Sequence, residues 1–130
     1  MVDSSNISIL VVDDERFILD SLTGFLEDYD FQVSRAESAE EALEVLKEKT
    51  FQVAVIDLRL PGMSGDLLIQ NINKQYPQIR FVIHTGSVGY VLSEDLKSIG
   101  MKLNHVFFKP MPDLTVLVET ILTLVNNNDE

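Results

Sequence analysis

The chain has 130 residues, 45% of them hydrophobic, with 10 Lys plus Arg against 21 Asp plus Glu and a formal net charge of −11. That length suits one folding unit with its own core, and the acidic excess repels a phosphate backbone and offers no basic stripe to nucleic acid. The lack of cysteine excludes a disulfide framework and a thiolate metal site. The opening MVDSSN has neither the charged nor the apolar region of a signal peptide, and no apolar run reaches membrane-spanning length. The expectation is a cytoplasmic domain that binds neither membrane nor nucleic acid directly.

In chain order, residues 1–6 are expected to be disordered or extended. Ile9 to Val12 then read as a buried strand that runs straight into Asp13, Asp14 and Glu15. From about Glu15 to Asp28 the period changes, with Ile18, Leu19, Leu22, Phe25 and Leu26 on one helical face. FQVSRA is a second strand. Ser38 and Glu41 then form a capping box that opens a helix with Ala39, Ala42, Leu43 and Leu46 inward. FQVAVID is the third strand, followed by a loop with Pro61, Gly62 and Gly65 and a helix stopped by Pro77 after about Tyr76. IRFVIHT is the fourth strand, and a helix is expected from about Val88 to Ile99. VFF is a short fifth strand. A last helix from about Asp113 buries Leu114, Leu117, Val118, Ile121 and Leu122, and residues 126–130 form a tail.

Strands that alternate with helices imply a doubly wound α/β fold: a five-stranded parallel sheet with helices on both faces, joined by right-handed crossovers. In such sheets ligands bind beyond the carboxyl ends of the strands, where the strand order reverses. Asp13 and Asp14 end the first strand, Asp57 the third and Thr85 the fourth, while Lys109 follows the fifth, so all five are expected at one edge. Carboxylates about 4 Å apart repel by roughly 4 kcal/mol per pair at an effective dielectric near 20, unless a cation or proton relieves them. Hard oxygen ligands favour Mg²⁺, which typically takes one or two carboxylates plus a phosphate. A carboxylate can also act as nucleophile to form an aspartyl phosphate, with a lysine neutralising charge and a hydroxyl donating to the phosphoryl oxygens. Asp57, Lys109 and Thr85 suit those three roles.

The segments VVDDE, VIDLRLPGMSG, IHTG and FFKP, in that order at strand ends, resemble the receiver domain of bacterial two-component response regulators. The resemblance runs from about Ile7 to Val125, and its flavodoxin-like architecture matches the one read from the periodicity. It implies that Asp57 is the phosphoacceptor. It also implies that Mg²⁺ is held by Asp14, by Asp13 through water, by Asp57 and by the backbone carbonyl of Arg59. Thr85 would hydrogen-bond the phosphoryl group and Lys109 would pair with it, supported by Gly86 and by Pro110 after a peptide that is usually cis in the family. Arg59 and Ser87 hold positions that tune the lifetime of the phosphoryl group. The implied partners are a sensor histidine kinase or phosphotransfer protein, an effector domain or protein target, and a second copy in a homodimer. The domain itself would not be an enzyme beyond phosphoryl transfer to, and hydrolysis from, its own Asp57.

Two features depart from the family pattern. The aromatic often found three residues before the lysine is Val106 here, and the stretch GMKLNHVFFK, residues 100–109, is about two residues longer than usual. Taken singly, the site residues also have plainer readings. Asp13 or Asp14 could cap the first helix, Asp57 could open a turn, Glu15 could compensate the helix dipole or touch the metal through water, and Lys109 could be a solvated charge. His84 and His105 read as strand-end residues, and Phe107 and Phe108 as core and helix-facing ones. Two other functions share the fold. One is a Mg-dependent phosphatase acting through an aspartyl phosphate, of the haloacid-dehalogenase type, which carries a second acid where this chain has Arg59. The other is a flavodoxin-like cofactor binder, which needs a hydroxyl-rich loop where this chain has DDERF.

Overall fold

Every interior strand carries apolar side chains on both faces, so the sheet must be covered twice. The computed structural model, which describes residues 4–87 and 89–126, shows how. Its strands are β1 (Ser8–Val12), β2 (Gln32–Ala36), β3 (Val53–Ile56), β4 (Arg80–Thr85) and β5 (Val106–Phe108). They form one sheet in the order β2-β1-β3-β4-β5, with every pairing parallel. Its helices are α1 (Arg16–Asp28), α2 (Ala39–Glu48), α3 (Gly65–Gln75), α4 (Glu94–Ser98) and α5 (Thr115–Asn126).

The two-residue alternation of a strand sorts the core into two layers. Ile9, Val11, Val53, Val55 and Val82 pack under α1 and α5, against Leu19, Leu22, Leu26, Leu117 and Ile121. Leu10, Val12, Ala54, Ile56, Phe81 and Ile83 face the other way, against Ala42 and Leu46 of α2, Leu68 and Ile72 of α3, and Leu96 of α4. Because β1 is flanked by β2 on one side and β3 on the other, the chain reverses direction across the sheet at β1 and β3. Asp13 and Asp57 follow those two strands.

Several element ends differ from the sequence reading. The helix expected from about Val88 to Ile99 is only Glu94–Ser98; its expected first residue, Val88, lies outside the described residues. Gly89 has φ +87°, and Ser93 takes the N-cap by accepting from the Leu96 N–H at 3.2 Å, so the helix starts late. Gly100, at φ +100°, ends it. α5 starts at Thr115 because Asp113 Oδ1 binds the Thr115 N–H and hydroxyl in a turn just before it. Leu114 and Leu122 are only half-buried, whereas Leu124 is buried. Asn126 belongs to α5 rather than to a tail, and residues 127–130 lie outside the described part. Ser4–Asn6 form a 3-10 turn rather than an extended lead-in. The lengthened stretch before β5 contains a second such turn, Leu103–His105. Phe108 is exposed rather than core. The Ser38 cap is present, but Glu41 reaches back to the N–H of Glu37, so only half of the expected capping box forms. Among the described residues no helix is long and apolar enough to cross a membrane.

Candidate functional site

Three ladder-type hydrogen bonds extend the sheet by one residue and fix the site's backbone. Asp13 N–H donates to Ala36 carbonyl at 3.1 Å, Asp57 N–H to Val12 carbonyl at 3.0 Å, and Lys109 N–H to Thr85 carbonyl at 2.8 Å. Asp13, Asp57 and Thr85 are buried while Asp14 is exposed. The five residues expected together therefore do share one edge. The Lys109–Pro110 peptide is cis.

Lys109 reaches back over this edge. Its ammonium lies 2.9 Å from Asp13 Oδ2, 3.2 Å from Asp57 Oδ2 and 2.7 Å from Glu15 Oε1. Burial alone disfavours its charge, but the carboxylates of Glu15, Asp13 and Asp57 outweigh that, so Lys109 titrates above the ordinary lysine range. Burial pushes the Asp13 carboxyl up, against the opposing pull of Lys109 and of the Glu15 N–H. The hydrogen bond from Lys109 holds Glu15 below the usual carboxylate range.

The acids also suit a cation. Asp13, Asp14 and Asp57 each offer an oxygen within 4.8 Å of the others. Asp13 Oδ2 is buried and, apart from the ion contact with Lys109, accepts no hydrogen bond, so an acceptor lone pair remains for a positive partner. An all-carboxylate oxygen set fits a hard divalent ion such as Mg²⁺ better than a soft one.

Other contacts define the mouth of the site. Asp57 Oδ1 accepts from the Arg59 N–H at 3.3 Å, and Arg59 Nε donates to Ser87 Oγ at 3.0 Å. The two positions singled out for tuning are thus bonded to each other. Thr85 Oγ1 accepts from the Ser87 N–H at 3.1 Å, which leaves its hydroxyl proton free to serve an acceptor. Gly86 lies beside Lys109, where an added methyl would meet Lys109 Cδ at 4.0 Å, an ordinary contact. Asp14 and Arg59 line an open depression with Leu58, Leu60, Pro61, Gly62, Met63 and Ser64.

The cap reading of Asp13 and Asp14 gives way to this geometry, whereas Asp57 does hold the turn that follows it, through the Arg59 N–H. The N-cap of α1 is Glu15, and it makes no side-chain cap bond; Asp13 Oδ1 instead accepts the Glu15 N–H at 2.9 Å. Glu15 binds Lys109 rather than merely compensating a helix dipole. Lys109 is not a solvated charge, since its side chain is 11% exposed.

Three features were not legible beforehand. The Glu15–Lys109 pair spans 94 positions, and nothing in a local pattern announces it. Gly65 has the pattern of a loop residue, yet it opens α3 so close to the end of β3 that a Cβ there would lie 2.2 Å from the Asp57 carbonyl oxygen. His84 is buried, and both its ring nitrogens lack a hydrogen-bond partner among the described residues. Desolvation, and then the Lys109 charge, push its pKa down to about 4 against a partial opposing pull from Glu15.

Comparison with known proteins bears on the family and the fold. A family model described as the response regulator receiver domain matches residues 9–122. The transcriptional regulatory protein FixJ of Bradyrhizobium diazoefficiens is 31% identical over 118 residues, 88% of this chain and 56% of that protein. The uncharacterized transcriptional regulatory protein YesN of Bacillus subtilis is 28% identical over 126 residues, 93% of this chain and 34% of its own length. The chain thus spans from about a third to just over half of these two relatives. Among solved structures, a CheY-like receiver domain protein from Methanospirillum hungatei superposes with a TM-score of 0.79 at 29% identity, over 95% of this chain and 96% of that one. With the parallel five-stranded sheet, the acids at its switch point and a family match over most of its length, the chain belongs to the response regulator receiver domains of two-component systems.

Proposed function

We propose that this domain is a phosphoacceptor signalling module in which Asp57 takes a phosphoryl group from a histidine kinase or phosphotransfer protein. In the transfer, an Asp57 carboxylate oxygen forms a bond to phosphorus as the bond from phosphorus to the donor imidazole nitrogen breaks. The imidazole keeps the electron pair and takes a proton from water. The observation that carries this reading is the buried Asp57 carboxylate, paired with Lys109 and flanked by Asp13 with an unsatisfied oxygen.

Asp14, Asp57, the Arg59 carbonyl and, through water, Asp13 are the groups that would hold Mg²⁺. Such an ion supplies charge neutralisation for the phosphoryl oxygens. Lys109 serves another of those oxygens as a charge-assisted donor. The Thr85 hydroxyl proton bonds a third, which draws Thr85 away from its present bond to the Ser87 N–H. Because Ser87 is also held by Arg59 and its carbonyl accepts the Tyr90 N–H at 3.2 Å, that movement would pass into the segment leading to α4. The Val106 side chain, buried against the same layer, would repack there in place of an aromatic. The surface so altered would control an effector domain or a protein target, or pair with a second copy. Loss of the phosphoryl group by hydrolysis at Asp57 would reset it, with Arg59 and Ser87 setting its lifetime.

Incubation with acetyl phosphate and Mg²⁺ tests the reading by intact mass. Wild type is expected to gain one phosphoryl group, and the Asp57→Asn protein none. Equal labelling of both proteins, or steady turnover of a phosphate ester without labelling, would overturn it.

A further inference from the structure

A tyrosine hydroxyl that is buried normally has a partner, and a tyrosine at the surface normally keeps its ring in the core and its oxygen in water. Tyr90 departs from both. It is half-buried and packs against the core layer that contains Leu92, Leu96 and Val106, yet its hydroxyl is sealed from solvent with no hydrogen-bond partner among the described residues. The Asp66 carboxylate, in the first turn of α3, comes near without accepting from it and is bonded instead by Gln70 Nε2 at 2.7 Å. Burial first, and then that carboxylate, hold the Tyr90 phenol above the ordinary tyrosine range. An unsatisfied buried hydroxyl carries a desolvation cost that hydration would recover, so the inward ring is held against a standing penalty. Because part of the residue already lies at the surface, a turn outward would hydrate the oxygen at the expense of little apolar burial.

The backbone of Tyr90 is tied to the acceptor site. Its N–H donates to the Ser87 carbonyl at 3.2 Å, and the Ser87 N–H donates to Thr85 Oγ1 at 3.1 Å. Any shift of the Thr85 hydroxyl toward a phosphoryl oxygen on Asp57 passes along these two bonds. We propose that Tyr90 is a spring-loaded latch: its hydroxyl is shut inward beside Asp66 in the unphosphorylated domain and turns out into water when Asp57 is loaded. The cost of the dry hydroxyl then favours loading, since only the unloaded state bears it. This inference rests on the reading of Asp57 as the acceptor.

The test compares wild type, Tyr90→Phe and Asp57→Asn, each labelled with ¹³C at the ζ carbon of tyrosine and titrated with beryllofluoride and Mg²⁺. Bound beryllofluoride is read by its ¹⁹F resonance. The chain has three tyrosines, Tyr29, Tyr76 and Tyr90, and Tyr90→Phe identifies the resonance of the last. The Tyr90 resonance is expected to lie away from that of free tyrosine without additives and to move to it on saturation, while Tyr29 and Tyr76 stay in place. Tyr90→Phe removes the penalty from the unloaded state alone. It should therefore raise Tm without additives and need about fivefold more beryllofluoride for half-saturation. A merely structural tyrosine would raise Tm on substitution and leave half-saturation equal, which overturns the latch. A Tyr90 resonance that does not move, or tighter binding by Tyr90→Phe, overturns it as well. Failure of wild type to bind more tightly than Asp57→Asn would overturn the acceptor reading itself, an outcome distinct from normal binding with an unmoved Tyr90.

Discussion

His84 makes the stability of this domain depend on pH in a way that one substitution should erase. It is 4% exposed, with no hydrogen-bond partner at either ring nitrogen, and its pKa is pushed down to about 4 by burial and by Lys109. In the unfolded chain the same ring titrates near 6.5, so between those values the unfolded state binds more protons than the folded one. Stability therefore falls as pH drops through that window and is unaffected by this group well above it. Integration gives a loss of about 2 kcal/mol between pH 7 and pH 5, tending to about 3.4 kcal/mol below both pKa values. Urea unfolding of wild type and His84→Leu at pH 7 and pH 5 isolates the contribution, since the other titrating groups are common to both proteins. His84→Leu replaces two unpartnered buried nitrogens with apolar surface, so near neutrality it should cost little. The gap between the two proteins should then move by about 2 kcal/mol in favour of His84→Leu at pH 5. Parallel pH profiles would show that His84 is hydrated or bonded in the folded state and would refute the argument.

Other consequences are equally direct. Gly24 lies inside α1 with nothing within 4 Å of an added Cβ, so Gly24→Ala should stabilise by about 1 kcal/mol, seen as a rise of about 4 °C in Tm. Gly65→Ala would drive a Cβ into the Asp57 carbonyl oxygen; calorimetry should show a loss of about 3 kcal/mol, and labelling by acetyl phosphate should slow even where the protein stays folded. Ser38→Ala removes the acceptor of the Glu41 N–H and should cost about 1 kcal/mol in urea unfolding. Lys109→Met removes a cation that competes for Asp13 and Asp57. Calorimetric titration should show tighter Mg²⁺ binding, and phosphoryl uptake should slow.

The elements with strong periodicity were legible in the sequence because their own residues decide them. The apolar runs of β1, β3 and β4 need burial on both faces, and the amphipathic pattern of α1 needs a sheet to cover. The weakest element, α4, was overextended because a helical pattern from Val88 onward carried more weight than Gly89 and the Ser93 cap. At the site, Asp13, Asp14, Asp57, Thr85 and Lys109 were legible as a group because strand ends of a parallel sheet must share an edge. What the pattern could not show was distance between remote residues. Glu15 on Lys109, Arg59 on Ser87 and the approach of Gly65 to Asp57 depend on how α1, α3 and the loops dock, which no local window of sequence contains. His84 reads like any other strand residue, and its burial with two unpartnered nitrogens is set by tertiary packing that no local window contains.

In a phosphoacceptor of this kind phosphorus becomes bonded to the side chain of Asp57. Reduction of the acetyl phosphate-treated protein with borohydride, followed by peptide sequencing, reads that bond directly, because an aspartyl phosphate is converted to homoserine. Homoserine is expected at position 57 alone and only when Mg²⁺ was present. Homoserine at position 13 or 14, or a phosphoryl group that resists borohydride and resides on a histidine or hydroxyl side chain, would contradict it.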